Sequence, residues 1–233
     1  GGARASIADP FLPTKIREGN SDDIRECIGC NICIASWHDG VPVRCTQNAT
    51  AGEEWRRGWH PERFTKASQP DNVLVVGGGP AGLEAALIAA KQGFEVTIAE
   101  QTDDWGGRVL QESQLPGMAT WRRVRDYRVW ALSQMGNVSM YTNSELDAEA
   151  ALSFGADHIA VATGARWTKR LYSALEIPAE PLDLPQILTP EEVFAGTISG
   201  DRVLVFDYDN YYLGGVIAEH LAEQGKAVSY ATP

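Results

Sequence analysis

The sequence predicts an α/β protein that contains one complete nucleotide-binding domain of the Rossmann type and the beginning of a second. Three observations carry this prediction. A short apolar strand at residues 73–76 runs through a glycine-rich turn into a helix at 83–92. A comparable strand and helix follow at 203–206 and 216–224. All the cysteines lie ahead of both units, between positions 27 and 45.

Length, composition and charge exclude several classes of protein. With 233 residues, of which 44% are hydrophobic and 22% charged, the chain is large enough for one or two domains with a packed core. The formal net charge of -11, with no run of Lys or Arg, disfavours a nucleic-acid partner. The longest apolar stretches are far shorter than the roughly 20 residues of a membrane-spanning helix. We therefore expect a cytoplasmic protein that binds neither nucleic acid nor a membrane.

The four cysteines, Cys27, Cys30, Cys33 and Cys45, follow the pattern C-x2-C-x2-C-x11-C. Three thiolates at steps of three residues can bind the corners of one iron-sulfur cube, and the fourth ligand then comes from a following loop. Gly29 allows backbone amides to approach the sulfurs. Structural zinc usually takes two separated C-x2-C pairs, and disulfide frameworks belong to small secreted chains, so both stay open as weaker alternatives. The spacing therefore predicts a 4Fe-4S cluster.

The turn after the first predicted strand has the spacing of a dinucleotide-binding fingerprint. Gly77 permits a tight turn, Gly79 lets the backbone approach a pyrophosphate, and Gly82 allows the helix to pack closely on the strand. A second strand at 95–99 leads to Glu100, 18 residues past Gly82, near the spacing of about 20 for a carboxylate that binds the adenosine ribose. A Rossmann-like turn that binds nothing is the alternative. The candidate nucleotide-binding residues here are Gly77, Gly79, Pro80, Ala81, Gly82 and Glu100.

Two further segments belong to the same predicted domain. An apolar strand at 158–164 resembles the strand that closes nucleotide domains of the flavin-disulfide-reductase type. Residues 105–152 form an excursion between strands, with helical periodicity at 121–135. The tryptophans and arginines of this excursion are interpreted as surface packing. The candidate cofactor contacts of the two segments are Gly107, Arg108, Ala162, Thr163 and Gly164.

The second strand-turn-helix unit has a different turn. At the positions that match the three glycines it has Asp207, Asp209 and Tyr212. Carboxylates repel a pyrophosphate, and side chains at these positions block the close approach of the backbone. A strand at 227–231 continues the unit. The sequence therefore predicts a dinucleotide fold without NAD(P)H chemistry, so a nicotinamide is not the expected redox partner.

Short motifs along the whole chain occur in the same order as in one known family. They are ASIADPFLP at 5–13, CTQNATAGEE at 45–54, RGWHPE at 57–62, LPG at 115–117, RDYR at 125–128 and TGARW at 163–167. With these motifs the chain resembles the iron-sulfur flavoenzymes of the trimethylamine, dimethylamine and histamine dehydrogenase family, which combine an FMN-binding TIM barrel with nucleotide domains.

The resemblance implies a division into domains. The first residues resemble the end of the FMN-binding TIM barrel. Because the sequence has neither an initiating Met nor a leader, we expect a piece of a longer polypeptide. The expected domains are the barrel end at 1–26, the cluster segment and linker at 27–70, the nucleotide domain at 71–170, a linker at 171–200 and the truncated start of a second Rossmann-like domain at 201–233.

The resemblance also implies cofactors and an activity. The four cysteines are the implied cluster ligands, and Gly2, Ala3 and Arg4 are the implied remnant of the loop that binds the FMN phosphate. The glycine turn with Glu100 is implied to hold ADP, or FAD. The implied reaction is oxidation of a small methylated amine at FMN, with electrons passing through the cluster to an electron-transfer flavoprotein, in a homodimer. Tyr127 matches a position near the face from which electrons leave, and the catalytic residues are expected upstream of this chain.

Two other functions stay open at this point. The 2,4-dienoyl-CoA reductases and related NADH:flavin ene-reductases share the architecture. In that class three residues separate the second and third cysteines, and the second nucleotide turn keeps its glycines, so this sequence departs on both counts. The other function is a non-catalytic electron-relay and nucleotide-binding module, because the substrate pocket is expected outside this chain.

Overall fold

The structure, a computed structural model, describes residues 2–58, 63–169 and 184–232. Part of the RGWHPE motif, at 59–62, and part of the expected linker, at 171–183, lie outside the described residues. Within the described ranges, no helix has both the length and the apolar character needed to cross a membrane.

The chain divides into two compact units. The first consists of Gly1–Ser113 and Thr120–Gly164, and the second of Gln114–Ala119 and Ala165–Pro233. The first unit therefore holds both the cysteine segment and the predicted nucleotide-binding turn.

Before the first strand, the first unit is built from short helices. They are α1 (Ala3–Ala8), α2 (Leu12–Glu18), α3 (Ile32–His38) and α4 (Glu54–Arg57), with a 3-10 turn at Ser21–Asp23. Residues 5–13, which resemble part of the barrel end, comprise the last part of α1, a turn at 9–11 and the start of α2. No strand precedes residue 72 in the described part of the chain, and a helix pairs its own backbone groups where a lone strand leaves them unpaired.

A four-stranded parallel sheet forms the centre of the first unit. Its elements are β1 (Asn72–Val76), α5 (Pro80–Gln92), β2 (Glu95–Ala99), α6 (Arg108–Glu112), α7 (Arg123–Ser133), β3 (Val138–Tyr141), α8 (Ala148–Ser153) and β4 (His158–Val161). The strand order is β3-β2-β1-β4, with Val75 paired to Ile98 on one side and to Ala160 on the other. This is the order of a Rossmann half, so the predicted α/β fold is confirmed. The excursion also contributes β3, which was not predicted.

Both faces of β1 are covered. One face packs with α5 and α7, and the other with α8. Trp105 is 9% exposed and belongs to the first of these clusters, and Arg128 of α7 is 3% exposed. The interpretation of the excursion's tryptophans and arginines as surface packing is therefore wrong for these two residues. Arg128 is buried because the tertiary fold places α7 against both α5 and the segment that follows Cys45.

The second unit contains a two-stranded parallel sheet. Its elements are α9 (Pro190–Phe194), β5 (Arg202–Phe206), α10 (Leu213–Glu223) and β6 (Ala227–Ala231). The strand predicted at 227–231 is confirmed, and the helix that follows β5 begins at Leu213, ahead of its predicted start.

A buried ion pair fixes the segment that leads into the cysteines. Asp9 is fully buried and accepts hydrogen bonds from Lys15 Nζ at 2.8 Å and from two backbone amides. These amides belong to Arg25, at 2.9 Å, and Phe11, at 3.0 Å. Burial raises the pKa of Asp9, but Lys15 and the two amides outweigh burial and hold the pKa below its usual value. As a carboxylate, Asp9 therefore anchors the backbone just before Cys27.

We expect the free energy of unfolding to fall as the pH drops below about 4, because the pKa of Asp9 is lower in the folded than in the unfolded chain. Its contribution is fully present above the unfolded pKa and is lost as the pH falls through the folded pKa. Asp9→Asn should lose about 3 kcal/mol at neutral pH and show a shallower decline of stability in acid. Urea unfolding across the acid range measures this, with Asp22→Asn, a change of an exposed carboxylate, as the control. An unaltered slope in Asp9→Asn contradicts the assignment.

Candidate functional site: a cysteine cavity and a glycine turn

The four cysteines line one cavity in the first unit, together with Arg4, Asn31 and Gln47. Cys33 lies in the first turn of α3, which begins directly after Asn31, and Cys45 comes from the loop that follows α3. No disulfide bond joins any two of these four cysteines in the described part of the chain. The structure thus brings together the four residues that the sequence spacing selected.

Backbone amides point at the sulfurs of this cavity. Gly29, with a φ of 73°, donates its N–H to Cys27 Sγ at 3.4 Å. The amides of Gln47 and Asn48 donate to Cys45. Burial raises the pKa of Cys45, and these two amide hydrogen bonds oppose the rise without cancelling it. A partly buried thiol with amides directed at it suits a metal-bound thiolate, because coordination removes the thiol proton.

The four cysteines reach the cavity from two segments, three from 27–33 and one from Cys45. Among the described residues, no three His, Cys, Asp or Glu side chains form a group that could hold a single metal ion. In an iron-sulfur cube each thiolate binds a different iron atom, so the sulfurs surround the cube and do not meet at one point. The four cysteines and their amides fit such a cube.

A buried arginine, Arg128, which the sequence analysis interpreted as surface packing, joins the cysteine loop to α5. The guanidinium of Arg128 donates to Glu84 Oε2 at 2.6 Å and to Gln47 Oε1 at 2.8 Å. It also donates to the carbonyl oxygen of Thr46 at 3.2 Å. Gln47 in turn donates its side-chain amide to the carbonyl oxygen of Glu26 at 3.0 Å. Gln47 and Arg128 are 81 positions apart, so no local pattern could have revealed this contact.

Of the three glycines that the fingerprint selected, packing requires Gly77 and Gly82 but not Gly79. A Cβ at Gly77, whose φ is 107°, would lie 2.3 Å from the carbonyl oxygen of Ala162. A Cβ at Gly82 would lie 1.8 Å from the carbonyl oxygen of Gly77. A Cβ at Gly79 would meet no described atom within 4 Å, although Gly79 caps the N-terminus of α5. The open position at the positive end of the helix dipole fits a phosphate that must approach the backbone closely.

Glu100 lies against the same turn. Its buried carboxylate accepts hydrogen bonds from Gly78 N at 2.7 Å and from the amide and hydroxyl of Thr102, each at 2.9 Å. A carboxylate has about four acceptor positions, so one remains for a ribose hydroxyl. Gly107 approaches the turn from another side, since a Cβ there would lie 3.4 Å from Gly79 Cα.

The other predicted contacts lie at the ends of elements around the turn. Pro80 and Ala81 begin α5, Arg108 begins α6, and Ala162, Thr163 and Gly164 follow β4. Because β1 and β4 are parallel neighbours, their carboxyl ends meet at one edge of the sheet, where open α/β sheets bind their ligands.

The second turn is filled by its own carboxylate. Asp207 is 6% exposed and accepts hydrogen bonds from the amides of Asp209 and Asn210, each at 3.1 Å. It also accepts from the hydroxyl of Tyr230 at 2.6 Å, which raises the pKa of Tyr230. A Cβ at Gly214 would lie 2.5 Å from the Asp207 side chain, so the carboxylate sits against the start of α10. Asp207 therefore accepts hydrogen bonds from backbone amides of the kind that bind a phosphate in a nucleotide-binding turn.

The residues named in two predictions from the resemblance differ in exposure. Gly2, Ala3 and Arg4 are exposed, and Arg4 lines the cysteine cavity. Their contact with the FMN phosphate stays a prediction. Tyr127 is 8% exposed and packs in the main core of the first unit, so packing accounts for it.

A family model described as pyridine nucleotide-disulphide oxidoreductase matches residues 44–182. The match covers more than half of the chain and includes the glycine turn, Glu100 and the end of β4. The chain therefore belongs to the pyridine nucleotide-disulphide oxidoreductase family.

Comparison with individual relatives indicates which enzymes of this family the chain resembles. The chain is 43% identical to dimethylamine dehydrogenase from Hyphomicrobium sp. (strain x), over 100% of the chain and 33% of the relative. Histamine dehydrogenase from Rhizobium sp. 4-9 matches with a TM-score of 0.90 and 48% identity, over 98% of this chain and 36% of that one. The 6-hydroxypseudooxynicotine amine oxidase from Pseudomonas geniculata N1 matches with a TM-score of 0.91 and 49% identity, over 98% and 35%. The predicted resemblance to the trimethylamine, dimethylamine and histamine dehydrogenases is confirmed, and the chain spans about a third of the length of these relatives.

Proposed function

We propose that this chain is the cluster-binding and nucleotide-binding part of an FMN and 4Fe-4S amine dehydrogenase. The observation that carries the proposal is that four cysteines line one cavity, with backbone amides directed at the sulfurs of Cys27 and Cys45. Identity to dimethylamine and histamine dehydrogenases over nearly the whole chain supports the same class of reaction. The substrate is then a small amine, oxidised in a part of the protein that this chain does not contain.

In this proposal the four cysteines hold the cluster, which when bound supplies one-electron transfer. The amides of Gly29, Gln47 and Asn48 stabilise negative charge on the ligand sulfurs. Ile28 lines the cavity and is buried in a cluster with Val109, so it limits the access of water to that side.

The glycine turn holds ADP, or FAD, in the same proposal. Gly79 exposes the backbone to the pyrophosphate, the N-terminus of α5 faces its negative charge, and Glu100 keeps one acceptor for the ribose. Arg4, with Gly2 and Ala3, supplies a charge-assisted contact to the FMN phosphate.

The cluster held by the four cysteines would pass electrons to an electron-transfer flavoprotein as the proposed partner. The intact enzyme is proposed to be a homodimer in the cytoplasm. An ene-reductase that draws electrons from NADPH is disfavoured, because Asp207 already occupies amides of the second turn. Mixing the purified intact enzyme, which includes the part that binds FMN, anaerobically with dimethylamine should bleach the flavin absorbance, and NADH or NADPH should not. Bleaching by a nicotinamide alone contradicts amine oxidation.

The cofactors are tested by analysis of the anaerobically purified protein. About four irons and four sulfides per chain are expected, with an electron paramagnetic resonance (EPR) signal after reduction by dithionite. Cys45→Ser removes a ligand and should lose most of the iron. Acid extraction followed by chromatography should release ADP or FAD. Zinc in place of iron contradicts the cluster, and the absence of both nucleotides contradicts the role of the glycine turn.

A further inference from the structure

We propose that the hydroxyl of Thr46, held in place by Arg128, tunes the reduction potential of the cluster, an inference that rests on the cluster proposed above. Thr46 Oγ1 lies 3.1 Å from Cys30 Sγ. A thiolate that binds iron has no proton to donate, so the Thr46 hydroxyl is the donor in this pair. A hydrogen bond to a ligand sulfur stabilises the more negative, reduced cluster and therefore raises its potential.

The position of Thr46 is set from the interior of the first unit. Thr46 is itself exposed, but its carbonyl oxygen accepts a hydrogen bond from Arg128 Nη2 at 3.2 Å. The next residue, Gln47, is 1% exposed and accepts from Arg128 Nη1 at 2.8 Å. Its side-chain amide reaches the carbonyl oxygen of Glu26, which precedes Cys27. One buried guanidinium therefore fixes the loop after Cys45 and, through Gln47, the backbone before Cys27.

All three nitrogens of the Arg128 guanidinium donate hydrogen bonds. Nε donates to Glu84 Oε2, Nη1 to Gln47 Oε1 and the Val124 carbonyl oxygen, and Nη2 to the Thr46 carbonyl oxygen. This planar fork matches acceptors that lie in several directions, whereas the compact ammonium of lysine cannot reach them all. Arg128 does not touch a sulfur, so it acts as a positioning residue through the Thr46 loop.

Thr46 offers a hydrogen bond that substitution can remove. The other sulfur contacts described above come from backbone amides, which side-chain changes leave in place. Thr46→Val keeps the shape of the side chain and deletes the hydroxyl, and Thr46→Ser keeps the hydroxyl. Thr120→Val is the matched control, because the Thr120 hydroxyl lies 3.4 Å from the Ile28 carbonyl oxygen and bonds no sulfur.

The experiment is a redox titration of the purified, cluster-loaded protein, followed by EPR. In Thr46→Val we expect about a tenfold fall in the ratio of reduced to oxidised cluster at a fixed potential, equivalent to about 59 mV for a one-electron couple. Thr46→Ser should retain the original potential, and Thr120→Val should not change it. Arg128→Lys should lower the potential, and adding Thr46→Val to it should change little further, because both act through one hydrogen bond.

The possible results distinguish a failure of this inference from a failure of the proposed function. An unchanged potential in Thr46→Val, with iron content intact, overturns the tuning role and leaves the cluster assignment standing. Absence of iron and of an EPR signal in the unsubstituted protein overturns both. If Arg128→Lys fails to fold, Thr46→Val and Thr46→Ser still decide the role of the hydroxyl.

Discussion

Replacing Arg128 with methionine is expected to lower the free energy of unfolding by about 3–5 kcal/mol, because the change removes one partner of a buried ion pair. Arg128 is 3% exposed, and the side chain of its partner Glu84 is 20% exposed. Glu84 Oε1 already finds no hydrogen-bond partner among the described residues. Without the guanidinium, the second carboxylate oxygen also loses its partner, together with the acceptors on Gln47 and Thr46.

Urea unfolding of Arg128→Met measures this effect. Arg122→Met is the matched control, since the side chain of Arg122 is 54% exposed and lies 3.7 Å from Asp126. Exposed pairs of this kind contribute less than about 1 kcal/mol. Adding Glu84→Leu to Arg128→Met should recover part of the loss, because the unpaired carboxylate is then removed. Equal effects of the two methionine variants contradict the importance of the buried pair.

Replacing Gly82 with alanine is expected to lower the free energy of unfolding by about 3 kcal/mol or more. Alanine is the better helix former by about 1 kcal/mol, so propensity alone predicts a gain. Packing turns this expected gain in the free energy of unfolding into a loss. The added Cβ would lie 1.8 Å from the carbonyl oxygen of Gly77 and 3.0 Å from its carbonyl carbon, and neither backbone atom can rotate aside. The start of α5 must therefore move away from the turn.

Gly79→Ala is the matched control in the same turn, and it has the opposite expected result. Gly79 has a φ of -72° and a ψ of -179°, which alanine adopts, and a Cβ there meets no described atom within 4 Å. Compared in the nucleotide-free state, Gly79→Ala and the unsubstituted protein should differ in stability by less than about 1 kcal/mol, whereas the variant should lose the bound nucleotide, because the methyl group stands where the phosphate approaches. Thermal unfolding and nucleotide content measure the pair. Retention of nucleotide by Gly79→Ala, or full stability of Gly82→Ala, contradicts this division of roles.

The sequence by itself determined the features that depend on residues close together in the chain. The spacing of the cysteines selected four residues that do line one cavity. The strand, glycine turn and helix of the first nucleotide unit were evident because Gly77, Gly79 and Gly82 stand between segments with clear periodicity. The bounds of β2 and β6 were predicted as they are found. In each case one motif or one alternation of apolar residues carries the information.

Only the tertiary structure decided which side chains are buried and which distant residues meet. From the sequence, Arg128 and Trp105 were interpreted as surface residues, yet both are buried. Arg128 is covered because α5 and the cysteine loop pack against α7. The sequence showed that Asp207 disfavours a phosphate, but only the fold showed its carboxylate occupying the amides of the turn. The physical reason is that burial and hydrogen bonding depend on elements brought together across long stretches of chain. Gln47 and Arg128, 81 positions apart, have no shared periodicity from which their contact could be predicted.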